Sequence, residues 1–134
     1  MKPKWRTKHQ GIKGLKRDLD TTFAKYIRLR DRDLPCISCG QPCGTGEAGH
    51  YYARKVTIIR FDERNVNKQC HYCNHTLEGN RPGYMRGIIA KWGEDALNEL
   101  EANFEYWSSG KWPCYKRWDY EEMYFTYKDK LEKL

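Results

Sequence analysis

The chain has 134 residues, of which 39% are hydrophobic and 32% are charged, so it has the length of a single domain with a modest core. No apolar run is long enough to span a membrane and no signal-peptide segment precedes the domain, which excludes membrane and secreted classes and predicts a cytoplasmic location. The net charge of +7 is concentrated in the first 17 residues, which contain seven Lys or Arg and no acid, while the remainder contains 18 basic and 18 acidic residues.

The first predicted element is therefore a flexible basic arm, residues 1–17. Arms of this kind follow a phosphate backbone, and the alternative is a solvated tail without a partner. The arm's candidate nucleic-acid contacts are Lys2, Lys4, Arg6 and Lys8.

An N-terminal helix is predicted over residues 18–35. Leu15, Leu19, Phe23 and Ile27 recur every four residues, which is the spacing of one helix face. The helix ends before Leu34-Pro35 because the residue before a proline is disfavoured in the helical conformation.

The next region, residues 36–83, is framed by cysteines. Cys36-x2-Cys39 and Cys70-x2-Cys73 are separated by 30 residues, and two such pairs supply the four thiolates of a tetrahedral zinc site. The site has no open position, which predicts a structural Zn²⁺. Cys43 and Cys114 are interpreted as ordinary thiols, although Cys43 can compete with Cys39.

Between the cysteine pairs, short β-strands are predicted near His50–Tyr52 and Val56–Phe61, and a helix is predicted to begin at Asn74. In residues 84–134, C-terminal helices are predicted over Tyr84–Trp92 and Glu94–Trp107, and a third helix is predicted near the end of the chain. This last helix is predicted to have Asp119 as its N-cap and Glu122 at the N3 position of a capping box.

The region from Glu47 to Asn74 resembles an HNH nuclease. Such domains have a histidine in the first part of a β-hairpin, an asparagine five residues before the second cysteine pair, and a metal-binding residue directly after it. His50, Asn65 and Asn74 occupy these three places. A neutral imidazole suits the general base of phosphodiester hydrolysis, and an amide oxygen suits Mg²⁺ or Mn²⁺. Asn65 is expected to hold the hairpin loop and so to orient His50.

The resemblance is closest to the NinG/Rap family of lambdoid phages. It is carried by Tyr26–Gly40, Ala48-Gly-His50, Arg60–Cys70, Cys73-Asn74 with Gly79-Asn80, and Gly93–Glu101, which occur in one order at matching intervals. The resemblance implies a structure-specific endonuclease that cuts Holliday junctions and D-loops in phage recombination.

One position departs from the HNH pattern. Many HNH sites have an Asp or His metal ligand directly before the base, where this chain has Gly49. Glu78, four residues after Asn74, and Asn80 are the candidates for the missing ligand. Glu47 and Asp62 are candidate supporting partners. His71 and His75 are interpreted as exposed surface residues.

Several side chains around the predicted site are candidates for DNA contact. Tyr51 and Tyr52 flank the base, and basic residues can hold phosphates. The basic candidates are Arg54, Lys55, Arg60, Arg64 and Lys68. Because resolving a four-way junction takes two symmetric cuts, a homodimer is expected.

The predicted fold class is thus α+β, with a small zinc-stapled ββα-metal (HNH-like) core and flanking helices at both ends. Three functions remain open at this point. They are a branched-DNA endonuclease, a non-catalytic zinc-containing DNA-binding module with a degenerate HNH site, and a zinc-ribbon interaction protein.

Overall fold

The computed structural model describes residues 11–134 and shows a mixed α+β chain. Its regular elements are helix α1 (Ile12–Arg30), strand β1 (Glu47–His50), strand β2 (Val66–Gln69), helix α2 (Arg81–Trp92), helix α3 (Glu94–Ser108) and helix α4 (Arg117–Glu132). A short 3₁₀ helix, Thr57–Ile59, lies in the β1–β2 connection, and a π-helical segment, Tyr72–Thr76, follows β2. The candidate arm contacts Lys2, Lys4, Arg6 and Lys8 lie outside the described residues.

Helix α1 begins earlier than its predicted boundary at residue 18. Gly11 precedes it in an extended conformation, and Ile12 is already helical, so the last six residues of the predicted arm belong to the helix. The reason is Leu15, which is fully buried with Leu19 and extends the apolar face by one turn. The helix ends at Arg30, before the proline.

The two strands form one antiparallel ladder in which Glu47 pairs with Gln69 and His50 pairs with Val66. The predicted strand at Val56–Phe61 was wrong, because this segment forms a 3₁₀ helix and turns instead. Its apolar residues Val56 and Ile59 are buried, although they belong to a turn and a 3₁₀ helix rather than to a strand. The second strand lies at Val66–Gln69 instead.

Strand β2 lies between two clusters of buried side chains, and all four of its residues are buried. On one side, α1 packs against α4 through residues that include Phe23 and Tyr127, whose ring centroids are 4.7 Å apart. The second cluster joins the β1–β2 connection to α2 and α3 through Tyr51, Ile88 and Leu100. The hairpin is therefore held between two helical pairs.

Helix α4 begins at Arg117, two residues before the predicted N-cap. Asp119 occupies the third helical position, where its Oδ2 accepts a hydrogen bond from the Lys116 backbone N–H at 2.7 Å. The predicted Asp119–Glu122 capping box is therefore corrected: Asp119 is the acidic residue that reaches back to the cap. Helices α2 and α3 match their predicted segments except that α2 starts at Arg81, with Pro82 in its first turn.

Candidate functional site

The four cysteines predicted to bind zinc come together at one end of the hairpin. Their Sγ atoms all lie within 4.8 Å of one another, and Cys39 and Cys70 are 3.8 Å apart. Zn–S bonds of about 2.3 Å in a tetrahedron place the sulfurs roughly 3.8 Å apart, so this cluster can hold a zinc ion. No ligand position remains for a substrate, which makes the cluster structural.

Groups around the cluster donate hydrogen bonds to the cysteine sulfurs. The Cys73 N–H and the Asn80 side-chain amide donate to Cys70 Sγ and Cys73 Sγ, each at 3.4 Å. Burial raises the pKa of the Cys36 thiol, but hydrogen bonds from surrounding backbone outweigh burial and lower that pKa to about 7. Since the metal ligand is the thiolate, this environment favours metal binding.

The first cysteine pair is fixed against the hairpin and against α2. The Ile37 N–H donates to the Lys68 carbonyl of β2 at 2.9 Å. Added Cβ atoms at Gly83 and Gly87 of α2 would lie 2.2 Å and 2.1 Å from the carbonyl oxygens of Ser38 and Ile37. Helix α2 therefore needs glycine at both positions to rest directly on this cysteine loop.

A second cluster of ligand-type side chains lies just beyond the second cysteine pair. Glu47, at the start of β1, is 2.8 Å from His71 Nδ1 through Oε2 and 3.0 Å from His75 Nε2 through Oε1. The Asn74 amide donates to Oε1 at 2.8 Å. These positions follow from the ladder, because Glu47 pairs with Gln69, the residue before Cys70.

This second cluster is more open to solvent than the cysteine cluster, in which Cys36 and Cys73 are buried. The side chains of His71 and His75 are 74% and 57% exposed, and that of Glu47 is 35% exposed. Burial raises the pKa of Glu47, but hydrogen bonds from Asn74 and His71 outweigh it and leave that pKa below its usual value. An ionised carboxylate flanked by two imidazoles and an amide is a potential cation site.

His50, the predicted base, lies at the other end of β1. Its Nε2 is 3.0 Å from the Arg60 carbonyl oxygen, which fixes Nε2 as the protonated nitrogen and leaves Nδ1 as the acceptor. Burial lowers the pKa of His50 to about 4, so the ring is neutral at pH 7. His50 is three positions after Glu47, roughly 10 Å along a strand, and this odd spacing puts the two side chains on opposite faces. The structure does not bring His50 and Asn74 into one site.

Asn65 is buried and holds the loop that follows β1. Its Oδ1 accepts the Tyr52 N–H at 2.8 Å, and its Nδ2 donates to the carbonyls of Tyr52 and Ile59, each at 3.1 Å. The same loop carries the Arg60 carbonyl that contacts His50. Asn65 thus acts on His50 through the backbone rather than by touching it.

Glu78 and Asn80, the predicted additional ligands, do not join Asn74. The helical segment ends at Thr76, and Glu78 and Asn80 follow with positive φ angles of 51° and 40°. The helical spacing that put Glu78 beside Asn74 is therefore lost. Asn80 contacts the cysteine cluster instead, and Glu47 is the carboxylate that meets Asn74.

Gly49 is explained by its neighbour on β2. A Cβ at position 49 would lie 2.0 Å from Gln69 Oε1. Gln69 is fully buried, and its Nε2 donates to Ser38 Oγ and to the Gly79 carbonyl at 2.8 and 2.7 Å. The side chain that ties the two cysteine loops together thus occupies the space that a ligand at position 49 would need.

The candidate DNA contacts have different environments. Arg54 and Lys55 are exposed on the loop after β1, and Tyr52 is half-buried and stacks on Phe104 with ring centroids 4.8 Å apart. Tyr51, by contrast, is buried in the second core cluster. Tyr51 is therefore corrected from a DNA contact to a core residue.

The other three basic candidates have partners within the chain. Arg60 forms an ion pair with Asp20, and Arg64 forms ion pairs with Asp62 and Glu99. Lys68 is 3% exposed, and its Nζ donates to the Arg32 and Leu34 carbonyls at 3.3 and 2.8 Å. Lys68 is corrected to a structural residue, because its ammonium group binds backbone carbonyls just after α1 and does not face solvent.

Comparison with known proteins gives the family. The family model described as Bacteriophage Lambda NinG protein matches residues 1–134. The chain belongs to the NinG family. NinG relatives include Protein ninG of Escherichia phage 933W, 46% identical over 80 residues, and those of Escherichia phage lambda and Salmonella phage P22, each 45% identical over 80 residues. The match covers 58% of this chain in each case.

The matched region covers 40% of the 933W protein and 39% of the lambda and P22 proteins, so the chain spans well under half the length of these NinG relatives. No solved structure gives a significant match. None of the helices formed by residues 11–134 combines the length and the apolar composition of a membrane-spanning segment.

The Glu47 cluster was missed by sequence reasoning. The sequence pattern indicates Glu47 only as a supporting partner, and His71 and His75 only as exposed surface residues. The i, i+4 spacing of His71 and His75 was the available signal, since that spacing places side chains on one face of a helix. The third member depended on strand register, which the sequence did not reveal.

Proposed function

We propose that this NinG protein is a metal-dependent DNA endonuclease of the HNH (ββα-metal) kind that cuts branched DNA. One observation carries the proposal: a cysteine cluster holds an antiparallel hairpin against a short helical segment, and Glu47 and Asn74 from these two elements meet at 2.8 Å. The family resemblance supplies the substrate class, Holliday junctions and D-loops. The reduced thiols of a zinc site fit a cytoplasmic location.

The residues present fit a divalent cation. The Glu47 carboxylate is ionised and solvent-accessible, and the Asn74 side chain offers an oxygen on the same amide that now donates to Glu47. When bound, Mg²⁺ or Mn²⁺ supplies positive charge that stabilises the phosphate and the departing 3′-oxygen. Glu78 and Asn80 are not needed for this site.

His50 is the proposed proton acceptor. Its orientation is set by the Arg60 carbonyl, and Asn65 keeps that loop in place. A pKa of about 4 makes a weak base, but an approaching phosphate adds negative charge, which raises the pKa of a nearby imidazole towards neutrality. A base and a cation act on the same scissile phosphate, so this proposal requires DNA binding to bring His50 and Asn74 closer together than the structure holds them.

The same separation favours a second candidate, a non-catalytic zinc-containing DNA-binding module with a degenerate HNH site. Gly49 removes a usual ligand position, and His50 faces away from the Glu47 cluster. In this alternative the exposed Arg54 and Lys55 and the basic arm hold the phosphate backbone, and no bond is cut.

The proposed enzyme acts as a homodimer, because two symmetric cuts require two sites facing opposite strands. Arg54, Lys55, Tyr52 and the basic arm would position the junction by its shape and phosphates, with little reading of bases.

The deciding experiment compares a synthetic four-way junction with a matched linear duplex, in Mg²⁺, in Mn²⁺ and in EDTA. We expect paired, metal-dependent nicks in the junction alone, and a loss of at least about a hundredfold in His50→Ala and Asn74→Ala, the usual size of a general-base effect. Glu78→Gln is the matched control and should cut at the wild-type rate. Tight junction binding without cleavage by any of these proteins would favour the binding module.

A further inference from the structure

His71 and His75 are held on one side of a short helical segment, and both face the same carboxylate. Their rings stack with centroids 4.2 Å apart and an interplanar angle of 28°. His71 contacts one oxygen of Glu47, and His75 contacts the other. The backbone that carries the two rings contains Cys70 and Cys73, so the cysteine cluster fixes their positions.

The atoms that converge here have the spacing of ligands around one ion. The two nitrogen–oxygen distances are 2.8 and 3.0 Å. In an octahedral site with bonds of about 2.1 Å, adjacent ligand atoms lie roughly 3.0 Å apart. A small shift of flexible, exposed side chains is enough to admit an ion between them.

We propose that Glu47, His71 and His75 form a second metal site, distinct from the cysteine cluster, which binds a divalent transition-metal ion in preference to Mg²⁺. Two imidazole nitrogens and one carboxylate are a ligand set for ions such as Mn²⁺, Co²⁺ and Zn²⁺, whereas Mg²⁺ selects oxygen ligands. The site leaves several coordination positions to water or to a phosphate. The site includes Glu47, which the proposed function also gives to the cation used in cleavage. Its use in DNA cleavage therefore rests on the proposed function, whereas metal binding does not.

The competing explanation is a set of hydrogen bonds in which each imidazole donates one N–H to Glu47. It accounts for the distances, but it predicts no bound ion beyond the zinc. The two explanations differ in the number of ions bound per chain and in whether a bound ion is coupled to imidazole nitrogens.

The test uses the full chain with its zinc site filled. Mn²⁺ is titrated by isothermal calorimetry, and imidazole coordination is read from ¹⁴N couplings in pulsed electron paramagnetic resonance of the bound Mn²⁺. We expect one Mn²⁺ per chain beyond the zinc, coupled to two nitrogens, with Mg²⁺ bound at least about tenfold more weakly.

His71→Ala and His75→Ala should each lose one nitrogen coupling and weaken Mn²⁺ binding at least about tenfold, and Glu47→Gln should weaken it similarly. The zinc content should stay at one per chain in all three variants, which shows that they fold. Glu78→Gln, an exposed carboxylate on the nearby turn, is the matched control and should bind Mn²⁺ like the wild type.

The inference is overturned if no second ion binds, or if Mn²⁺ binds equally well to the histidine variants. Failure of the proposed function has a different signature. In that case Mn²⁺ binds as expected, with both nitrogen couplings, and the four-way junction remains uncut.

Discussion

The cysteine cluster and the Glu47 cluster are joined by one short segment, residues 70–75, yet their environments are opposite. Cys36 and Cys73 are buried beneath α2, and the four thiolates leave no open coordination position. His71 and His75 are exposed, Glu47 is half-buried, and the three side chains offer three ligand atoms, one from each. The contrast separates a cysteine cluster that can hold a zinc ion within the fold from a proposed cation site that is open to solvent, although neighbouring residues supply both.

The largest expected effect comes from emptying the closed cluster. Chelating the zinc, or replacing Cys73 by Ser, should cost on the order of 5 kcal/mol or more of folding free energy, because ion binding and folding are coupled in small zinc domains. Circular dichroism and urea denaturation, with zinc content measured in parallel, test this. Cys114→Ser changes an exposed thiol outside the cluster and should behave like the wild type. A folded, zinc-free Cys73→Ser protein would contradict the structural role.

A smaller effect is expected where α2 supports the first cysteine loop. Gly83→Ala places a Cβ 2.2 Å from the Ser38 carbonyl oxygen and should destabilise the protein by about 1–3 kcal/mol. Gly14→Ala is the matched control, because it lies in α1 with its closest neighbour, an Arg17 side chain, at 3.7 Å. It should stabilise the protein by about 0.5–1 kcal/mol. Urea denaturation measures both, and equal effects would show that the close packing is not energetically significant.

The smallest expected effect is on the pH dependence of stability. It concerns His50, which is less exposed than His71 and His75. The folded pKa of His50 is about 4, below the unfolded value of about 6.5. Its contribution to stability is complete above pH 6.5 and is lost as the pH falls towards 4, amounting to about 1 kcal/mol by pH 5.5.

Wild type and His50→Gln should therefore be compared by urea denaturation at pH 7.5 and pH 5.5. Loss of zinc at lower pH affects both proteins, so the difference between them isolates His50. The wild type should lose about 1 kcal/mol more than the variant. Equal losses would mean that His50 titrates normally in the folded state.

Sequence periodicity was sufficient for the helices but not for the strands. Leu15, Leu19, Phe23 and Ile27 predicted the buried face of α1, which the structure confirms. Strand β2 was missed because Asn67, Lys68 and Gln69 are polar, and no alternation marks a strand that is buried on both sides. Their polar atoms are satisfied by partners far along the chain; for example, the Lys68 N–H donates to Asp31 at 3.1 Å.

The cysteine cluster and the Glu47 cluster also differ in how far the sequence predicts them. Cysteine spacing is a local property, so the Cys36–Cys39 and Cys70–Cys73 pairs were identified directly. The Glu47 cluster needs a strand register and a helix end, and both are set by tertiary contacts. Glu78 does not continue the helical segment that carries Asn74, because a left-handed turn replaces the helix there.

The contact between Gly49 and Gln69 also bears on how this site can change during evolution. A ligand side chain at position 49 would collide with Gln69, and a smaller residue at position 69 would release the Ser38 and Gly79 loops that Gln69 ties together. Neither substitution is neutral alone, so the two positions are expected to covary. Relatives with Asp or His before the histidine of β1 should carry a smaller residue at the position of Gln69 and another means of joining the cysteine loops.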